Sequence, residues 1–591
     1  MNGEEKLNIM RHSLSHIMAS AVVKLWPDVK LGIGPAIDDG FYYDFDLGDT
    51  KISEDDFKKI EKEMRKIISA KLDFIKEEKS TEDALKWAKD NNQPYKLELI
   101  EELRDNGESA MFYTCGDFTD LCSGPHVDNT KDVGAFKLMR VAGAYWRGDE
   151  KNPQLQRIYG VAFETDAELD AYLVQLEEAK KRDHRKIGKE MELFVTSDLV
   201  GAGLPLFTPR GTILRDELAK FSNELRERYG FQKVWTPHIT KKDLYEKSGH
   251  WAKFGEELFL VKSQETSDDF VIKPMNCPHH TRIYESQPRS FKELPVRYLE
   301  TTTVYRDEKS GELGGLARVR SITQDDSHIF CKPDQIESEI HNLMTAAREL
   351  YGTLGMELKL RLSYRDDSDA YLGDADQWAG AQKQLKKAVD AVGMNYFEQD
   401  GEAAFYGPKI DFLATDAIGR EHQVATVQLD FVQPARFELE YLDEDGQKKT
   451  PVMIHCALLG SIERFLSVFI EHTVGKFPVW LAPEQLRLIK VKDDQKIDKL
   501  ANDILAFAKD TGVRATLDDS NNSVGKKIRN AEIAKVPYSV VLGEKEVESG
   551  KLSVRIRKDI VLNDSEAEYD PESLIRKIAD ETLGRCSKST L

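Results

Sequence analysis

The sequence predicts an α/β and α+β multidomain protein, and three observations carry the prediction. A chain of 591 residues is longer than one hydrophobic core can hold, so about three or four domains are expected. The C-terminal stretch alternates strands with helices, the pattern of a small open α/β sheet. The middle of the chain joins two long strands by a loop rich in glycine and charge, which suits an antiparallel sheet with one open face.

Residues 1–165 read as a mixed α+β domain. LNIMRHSLSHIMASAVVKLW has apolar residues at helical spacing and stops at Pro27. GIGPAIDDGFYYDFD gives turn signals and then an aromatic strand, and ISEDDFKKIEKEMRKIISA an amphipathic helix. TEDALKWAKDNNQPYKLELIEEL gives two helices around a proline break, and FYTCGDFTDLCSGPHV mixes strand and loop. Residues 166–192 read as one long exposed helix ending in the basic run KKRDHRK, either a solvated linker or a nucleic-acid contact. Residues 193–480 carry most of the unusual residues. WLAPEQ marks a boundary, and residues 481–591 form the C-terminal α/β domain, with strand YSVVLG followed by strand LSVRIR.

The bulk numbers exclude some classes. No apolar run approaches the roughly 20 residues of a membrane span, and the charged start MNGEEKLNIM has no secretory h-region. Six scattered cysteines fit reduced thiols in a cytoplasm better than a disulfide framework. A net charge of -20 argues against nucleic acid only globally, because a local basic stripe can do the binding.

Three stretches carry the middle. ELRERYGFQKVWTPHI (224–239) reads as a helix and then a strand ending at Pro237. VRYLETTTVYRDEKSGELGGLARVRSITQDDSHIFC (296–331) reads as strand, loop and strand. ALLGSIERFLSVFIEH (457–472) reads as a Gly-Ser turn into a helix. Arg306, Arg318 and Arg464 suit phosphate oxygens, and Glu308 suits an adenine amino group. Any one of them alone is as well explained by a solvated charged hairpin. No G-x-x-x-x-G-K-[ST] or G-x-G-x-x-G is present, so an ATP site here uses arginines and a sheet. HSLSH (12–16) places two imidazoles on one helix face, and CSGPH (122–126) adds a thiol and a third. This set reads as a metal site, an acid/base site or packed core histidines. The absence of Glu after His12 excludes the H-E-x-x-H type.

In this order the three stretches resemble motifs 1, 2 and 3 of class II aminoacyl-tRNA synthetases. KKRDHRKIGKEMELF, KPMNCP, TQDDSHIFC, FYGPKIDF, ATVQLDF, MIHCALLGSIERF and GEKEVESGKLSVRIR, with HSLSH and CSGPH, resemble the threonyl-tRNA synthetase family, bacterial type. The resemblance covers nearly the whole chain. It implies a class II antiparallel catalytic core between an N-terminal editing domain and a C-terminal anticodon-binding domain. It implies a homodimer that joins L-threonine to tRNA(Thr) with ATP and Mg2+. Arg306 then contacts the α-phosphate and Arg464 the γ-phosphate. Cys277, His328 and His455 form an open three-ligand Zn2+ site, one per chain. Gln324, Asp326, Tyr406, Lys409, Gln428 and Ser461 contact substrate.

The resemblance also assigns His12, His16, Lys96, Asp120, Cys122 and His126 to metal-free hydrolysis of mischarged seryl-tRNA(Thr). Asn521, Glu546 and Arg555 then read the anticodon, with Lys526, Lys527, Arg529 and Arg557 near phosphates. Two positions depart from the pattern: His279 stands where glycine usually follows NCP, as a competing metal ligand, and Gly314 replaces a histidine. The family often has a small ubiquitin-like domain ahead of the editing domain; with HSLSH at residue 12, it is expected to be absent. The contrasting expectation is a non-catalytic paralogue that binds tRNA, which would be free to lose Cys277, His328, His455, Arg306 and Arg464.

Overall fold

The computed structural model describes residues 3–368, 370–562 and 568–591, and the chain divides into two compact units, Met1–Glu177 and Glu178–Leu591. The first unit opens with the helix Gly3–Leu25, whose residues around HSLSH are nearly all buried. It packs on an antiparallel sheet in which Gly40–Asp46 pairs with Gln154–Phe163 and that strand with Ala135–Tyr145. The helix Phe57–Ser69 buries Phe57, Ile60, Met64 and Ile67, the three-four spacing of one helix face, in the same core. A second sheet of Phe74–Lys79, Ala110–Cys115 and Phe118–Leu121 belongs with the helices Thr81–Asp90 and Pro94–Asp105. Ser80 caps the first of these helices, and Pro94 starts the second at the position where a missing N–H costs nothing.

The stretch expected as one long exposed helix is two helices, Asp166–Arg182 and His184–Glu190. Asp183 leaves helical geometry at φ -49 and ψ 118, and its carboxylate accepts from the Arg185 N–H at 2.8 Å. The second helix is solvated on one face only: it buries His184, Ile187 and Gly188 and exposes Arg185, Lys186, Lys189 and Glu190. The charges around Asp183 hid a helix cap.

The second unit is built on an eight-stranded sheet. From one edge of the sheet to the other the strands are Gln232–Lys233, Val296–Tyr305, Ser321–Cys331, Val452–Ser461, Glu421–Asp430, Lys409–Thr415, Glu357–Tyr364 and Tyr396–Asp400. All pairs are antiparallel except the outermost one at each edge. The expected strand to Pro237 is only two residues long. Beyond it the Val234 N–H still reaches the Leu299 carbonyl, but the Thr236 N–H goes to the Glu300 carboxylate and Pro237 has no donor. The helices Pro209–Glu227, Ile336–Leu354, Ala375–Val392 and Ile462–Thr473 pack their apolar residues into the core of this sheet.

Register places the chemistry. His328 lies opposite His455, and His455 opposite Gln428, so three neighbouring strands form one row. A bulge between Gln324 and Asp326 shifts the next pair, setting Gln324 opposite Ser461 at the start of the motif 3 helix.

The C-terminal sheet has parallel strands Ala515–Asp518, Leu486–Lys490 and Tyr538–Leu542, followed by antiparallel Leu552–Ile556 and Glu568–Tyr569. A short helix, Glu544–Ser549, stands between the two strands expected to follow each other directly. Glu546 starts it by accepting the Gly543 N–H at 2.9 Å. The junction at WLAPEQ is packed: Arg514 donates to the Trp480 and Ala482 carbonyls, and Glu484 pairs with Arg487. Among the described residues no helix is long and apolar enough to cross a membrane.

Candidate active sites

Cys277 opens the helix Cys277–Glu285, His328 lies on Ser321–Cys331 and His455 on Val452–Ser461. Their ligand atoms all lie within 4.8 Å of one another, and all three side chains are buried. His328 Nε2 is 3.1 Å from His455 Nδ1. His455 Nε2 is 2.8 Å from the Asp430 carboxylate, which only accepts, so Nδ1 is left with a lone pair facing the group. Burial, with Asp326 and Asp430 nearby, pushes the Cys277 thiol well above its ordinary value, and burial pulls His328 well below its own. A buried thiol and two buried imidazoles that converge on one point fit a divalent metal with thiolate and imidazole affinity. His279 is not in this group; its ring nitrogens are buried and unpartnered, and it lies beside Tyr245.

The group opens into a cavity of about 510 Å³ that also holds Gln324, Asp326, Tyr406, Lys409 and Gln428. Asp326 accepts from Asn276 at 3.0 Å, and burial raises its carboxyl above the ordinary value. Tyr406 stacks on His455 with ring centroids 4.7 Å apart and donates its hydroxyl to Gln428. Lys409 is held 2.9 Å from Asp411. An adjoining cavity of about 840 Å³ shares Arg306, Gln324 and Gln428 as a wall and adds Glu308, Arg318, Ser461 and Arg464. Arg306 Nε is buried without a partner there. Glu308 is taken up by Arg318 at 2.7 Å, which also reaches Glu312 at 2.6 Å. Ser461 caps the motif 3 helix by accepting the Arg464 N–H at 3.1 Å. The arrangement is one slot for a small polar molecule beside a larger one lined by guanidinium groups.

In the first unit Cys122 Sγ lies 3.2 Å from His12 Nε2 and 3.2 Å from His126 Nε2. His12 Nδ1 faces the Pro125 carbonyl at 3.3 Å, and His126 Nδ1 faces Ser13 Oγ at 3.2 Å, whose own hydrogen goes to the Ile9 carbonyl. Both imidazoles therefore turn a basic nitrogen toward the sulfur. His16 is buried against His126 and Phe118, with Nε2 unpartnered. Burial lowers His12, takes His16 to about 4 and His126 to about 2, and raises Cys122 to about 11. Lys96 and Asp120 form a buried pair at 2.8 Å, and Tyr43 donates its hydroxyl to Asp120. The three ligand atoms of His12, Cys122 and His126 are also close enough to hold an ion. Neutral imidazoles around a neutral thiol can equally hold and polarise a water.

Asn521, Glu546 and Arg555 lie on a loop, a short helix and a strand of the C-terminal sheet, with no hydrogen bond or ion pair joining them among the described residues. Two of the expected phosphate contacts are structural instead. Lys527 is 3% exposed, and its ammonium donates to the Lys490 carbonyl at 2.9 Å. Arg557 is bound to Asp559 and to the Phe477 and Lys535 carbonyls.

Three residues that the structure brings to these sites were given no role by the sequence. His250 lies in the cavity wall with Nε2 3.8 Å from Cys277 Sγ and Nδ1 2.7 Å from Ser248 Oγ; burial takes it to about 3. Tyr43 is the hydroxyl partner of Asp120. His184, in the basic run, places Nδ1 2.7 Å from Glu471 and accepts the Leu316 N–H of the motif 2 loop at 3.1 Å.

Comparison with known proteins adds names. Residues 259–473 match the tRNA synthetase class II core domain (G, H, P, S and T). Residues 111–159 match the threonyl and alanyl tRNA synthetase second additional domain, and 485–580 an anticodon binding domain. A threonine–tRNA ligase of Gloeobacter violaceus is 50% identical over 94% of this chain and 89% of its own length. One from Cytophaga hutchinsonii is 47% identical over 94% of this chain and 86% of its own. Among solved structures, the RNA binding domain of threonyl-tRNA synthetase from Cryptosporidium parvum is 36% identical, with a TM-score of 0.63, covering 67% of this chain and 98% of that one.

Proposed function

The chain belongs to the threonine–tRNA ligases, and from that membership we propose how its residues divide the family's work. The enzyme uses ATP with Mg2+ to join threonine to tRNA, and its second additional domain fits editing. We assign residues 1–165 to editing, 166–192 to the linker, 193–480 to catalysis and 481–591 to the anticodon. One Zn2+ per chain is held by Cys277, His328 and His455, and when bound it supplies a Lewis acid for the amino and hydroxyl groups of threonine.

One observation carries this reading: the three ligands converge on the wall of the small cavity, beside Asp326 and Gln428. Valine nearly matches threonine in shape, and a plain apolar pocket separates such a pair poorly. A site that must be satisfied by a hydroxyl rejects the analogue lacking it by roughly 10⁴ to 10⁵. Asp326 accepts that hydroxyl, while Gln428, Tyr406, Gln324 and Lys409 frame the rest. Arg306 receives the α-phosphate, Arg464 the γ-phosphate, and Glu308 the adenine amino group once Arg318 turns from it to phosphate. These groups lower the barrier by alignment and charge neutralisation.

Serine keeps the hydroxyl and lacks one methyl, worth only about 1–3 kcal/mol of discrimination. That shortfall gives the first unit its task. His12, His16, Cys122 and His126, with Lys96 and Asp120, hold water against a seryl ester of tRNA(Thr) without metal. Asn521, Glu546 and Arg555 read the anticodon. The proposed assembly is a homodimer and the proposed location the cytoplasm, in keeping with six unpaired cysteines.

ATP–pyrophosphate exchange across an amino-acid panel, with zinc counted per chain, tests the reading. Exchange selective for threonine over valine, with serine leaking through, and one zinc per chain are expected. Equal exchange with valine, or no zinc, overturns it.

A further inference from the structure

Behind the Cys277, His328, His455 group runs a line of buried side chains that the reaction itself does not touch. His328 Nδ1 lies 2.7 Å from His280 Nδ1. His280 Nε2 lies 3.2 Å from the Glu300 carboxylate. Glu300 also accepts the Thr236 N–H at 2.7 Å and the Thr236 hydroxyl at 2.9 Å. Lys273 Nζ stands 3.8 Å from the same carboxylate and donates to Thr236 Oγ1 at 3.0 Å.

Counting donors fixes the hydrogens. A carboxylate only accepts, so His280 carries its hydrogen on Nε2. A neutral His280 then presents a lone pair on Nδ1, and His328 must donate from its own Nδ1. That leaves His328 Nε2 as a lone pair, aimed at the space it shares with His455 Nδ1, 3.1 Å away. The opposite tautomer of His328 would set two lone pairs against each other at 2.7 Å with nothing to bridge them, whereas this one leaves the facing lone pairs of His328 Nε2 and His455 Nδ1 on the side of Cys277, where a cation would take both.

We propose that Glu300, acting through His280, is the positioning residue that holds His328 as an Nε2 ligand and ties the metal centre to the Thr236 segment of motif 1. The proposal rests on the zinc reading above. Groups that orient a ligating imidazole in this way typically change metal affinity by about 10- to 100-fold when removed. Glu300 is suited to a double duty because it lies on Val296–Tyr305, between the strand of His328 and the motif 1 edge. Thr236 in turn stands between Trp235, which is 74% exposed, and Pro237.

Glu300→Gln keeps the shape but has one acceptor where His280 and Thr236 need several. The full-length enzyme is loaded with Zn2+ and titrated with a chromophoric chelator; a Co2+-substituted sample reports ligand geometry by its visible spectrum. Zinc affinity about 10- to 100-fold below wild type is expected, with a changed Co2+ spectrum. Thr236→Val, which removes the hydroxyl's bonds to Glu300 and from Lys273 but keeps the carboxylate, is expected to weaken zinc less, by a few-fold, and serves if Glu300→Gln does not fold. Wild type with one zinc and a Glu300→Gln variant of equal affinity and spectrum overturns the relay. Unchanged affinity in Thr236→Val overturns the tie to motif 1. Wild type with no zinc instead overturns the underlying metal assignment.

Discussion

Cys122 lies between two imidazoles, yet it is not poised as a nucleophile. Burial pushes its thiol up to about 11, so the thiolate is scarce near neutrality. The same burial holds His16 at about 4 and His126 at about 2, and lowers His12. His16 and His126 are neutral bases over the whole physiological range, and burial shifts His12 in the same direction. The sign follows directly: the neutral form exists above the lowered value and is lost only as pH falls through it. Deacylation of seryl-tRNA(Thr) should therefore hold its rate at pH 6, where an ordinary imidazole of about 6.5 is mostly protonated. A pH–rate profile already half lost at 6.5 would contradict the buried-base picture. Cys122→Ala should lower deacylation by about 10² or more, the usual weight of a positioned acid/base group, while threonine-dependent pyrophosphate exchange persists. Zinc should stay at one per chain in that variant. A second zinc in wild type that Cys122→Ala loses would make the cluster a metal site.

Between elements, the motif 2 loop is held from outside its own hairpin. Leu316 donates its N–H to His184, His184 reaches Glu471 of the motif 3 helix, and Glu471 pairs with Arg420 at 2.6 Å. Gly315 makes this approach possible. It sits at φ +57, and a Cβ there would stand 2.3 Å from His184 Nε2. Gly315→Ala combines a left-handed penalty of about 1–2 kcal/mol with displacement of His184. Pyrophosphate exchange, read as kcat/KM for ATP, should fall at least about tenfold, since 1.4 kcal/mol is a factor of ten. Gly314 departs from the family pattern, but a Cβ there meets nothing within 4 Å, and Gly314→Ala should leave exchange within about twofold of wild type. Equal losses in both would mean that His184 does not set the loop. The three motifs were legible because each is a contiguous run with its own turn and periodicity. The contacts of His184 were not, because its partners lie 132 and 287 residues away and a basic run looks the same whether solvated or buried.

For the whole molecule, the antiparallel core and the C-terminal α/β sheet were legible in long local patterns, whereas the edge was not. The motif 1 strand shrank to Gln232–Lys233 because Thr236 spends its N–H on a side chain and Pro237 has none. Past the exposed polar pair Gln232 and Lys233, the chain exposes Trp235 at 74%, with Ile239 at 51% and Leu260 at 64% on the small sheet that follows. Single exposed apolar residues are ordinary, but a tryptophan flanked by others is what the core of an interface looks like. In the proposed homodimer, a second copy meeting the same edge about a twofold axis would cover it with the same residues, as a closed symmetric dimer does. Sedimentation at micromolar concentration should accordingly give a dimer. A buried tryptophan at the centre of such an interface is commonly worth 2 kcal/mol or more, so Trp235→Ala should weaken the dimer by about 30-fold or more, and Trp235→Asp further, since it also buries an unpaired charge. If the dimer forms through another face, Trp235→Asp will sediment as wild type does, and this edge will then need a different partner to explain its exposed tryptophan.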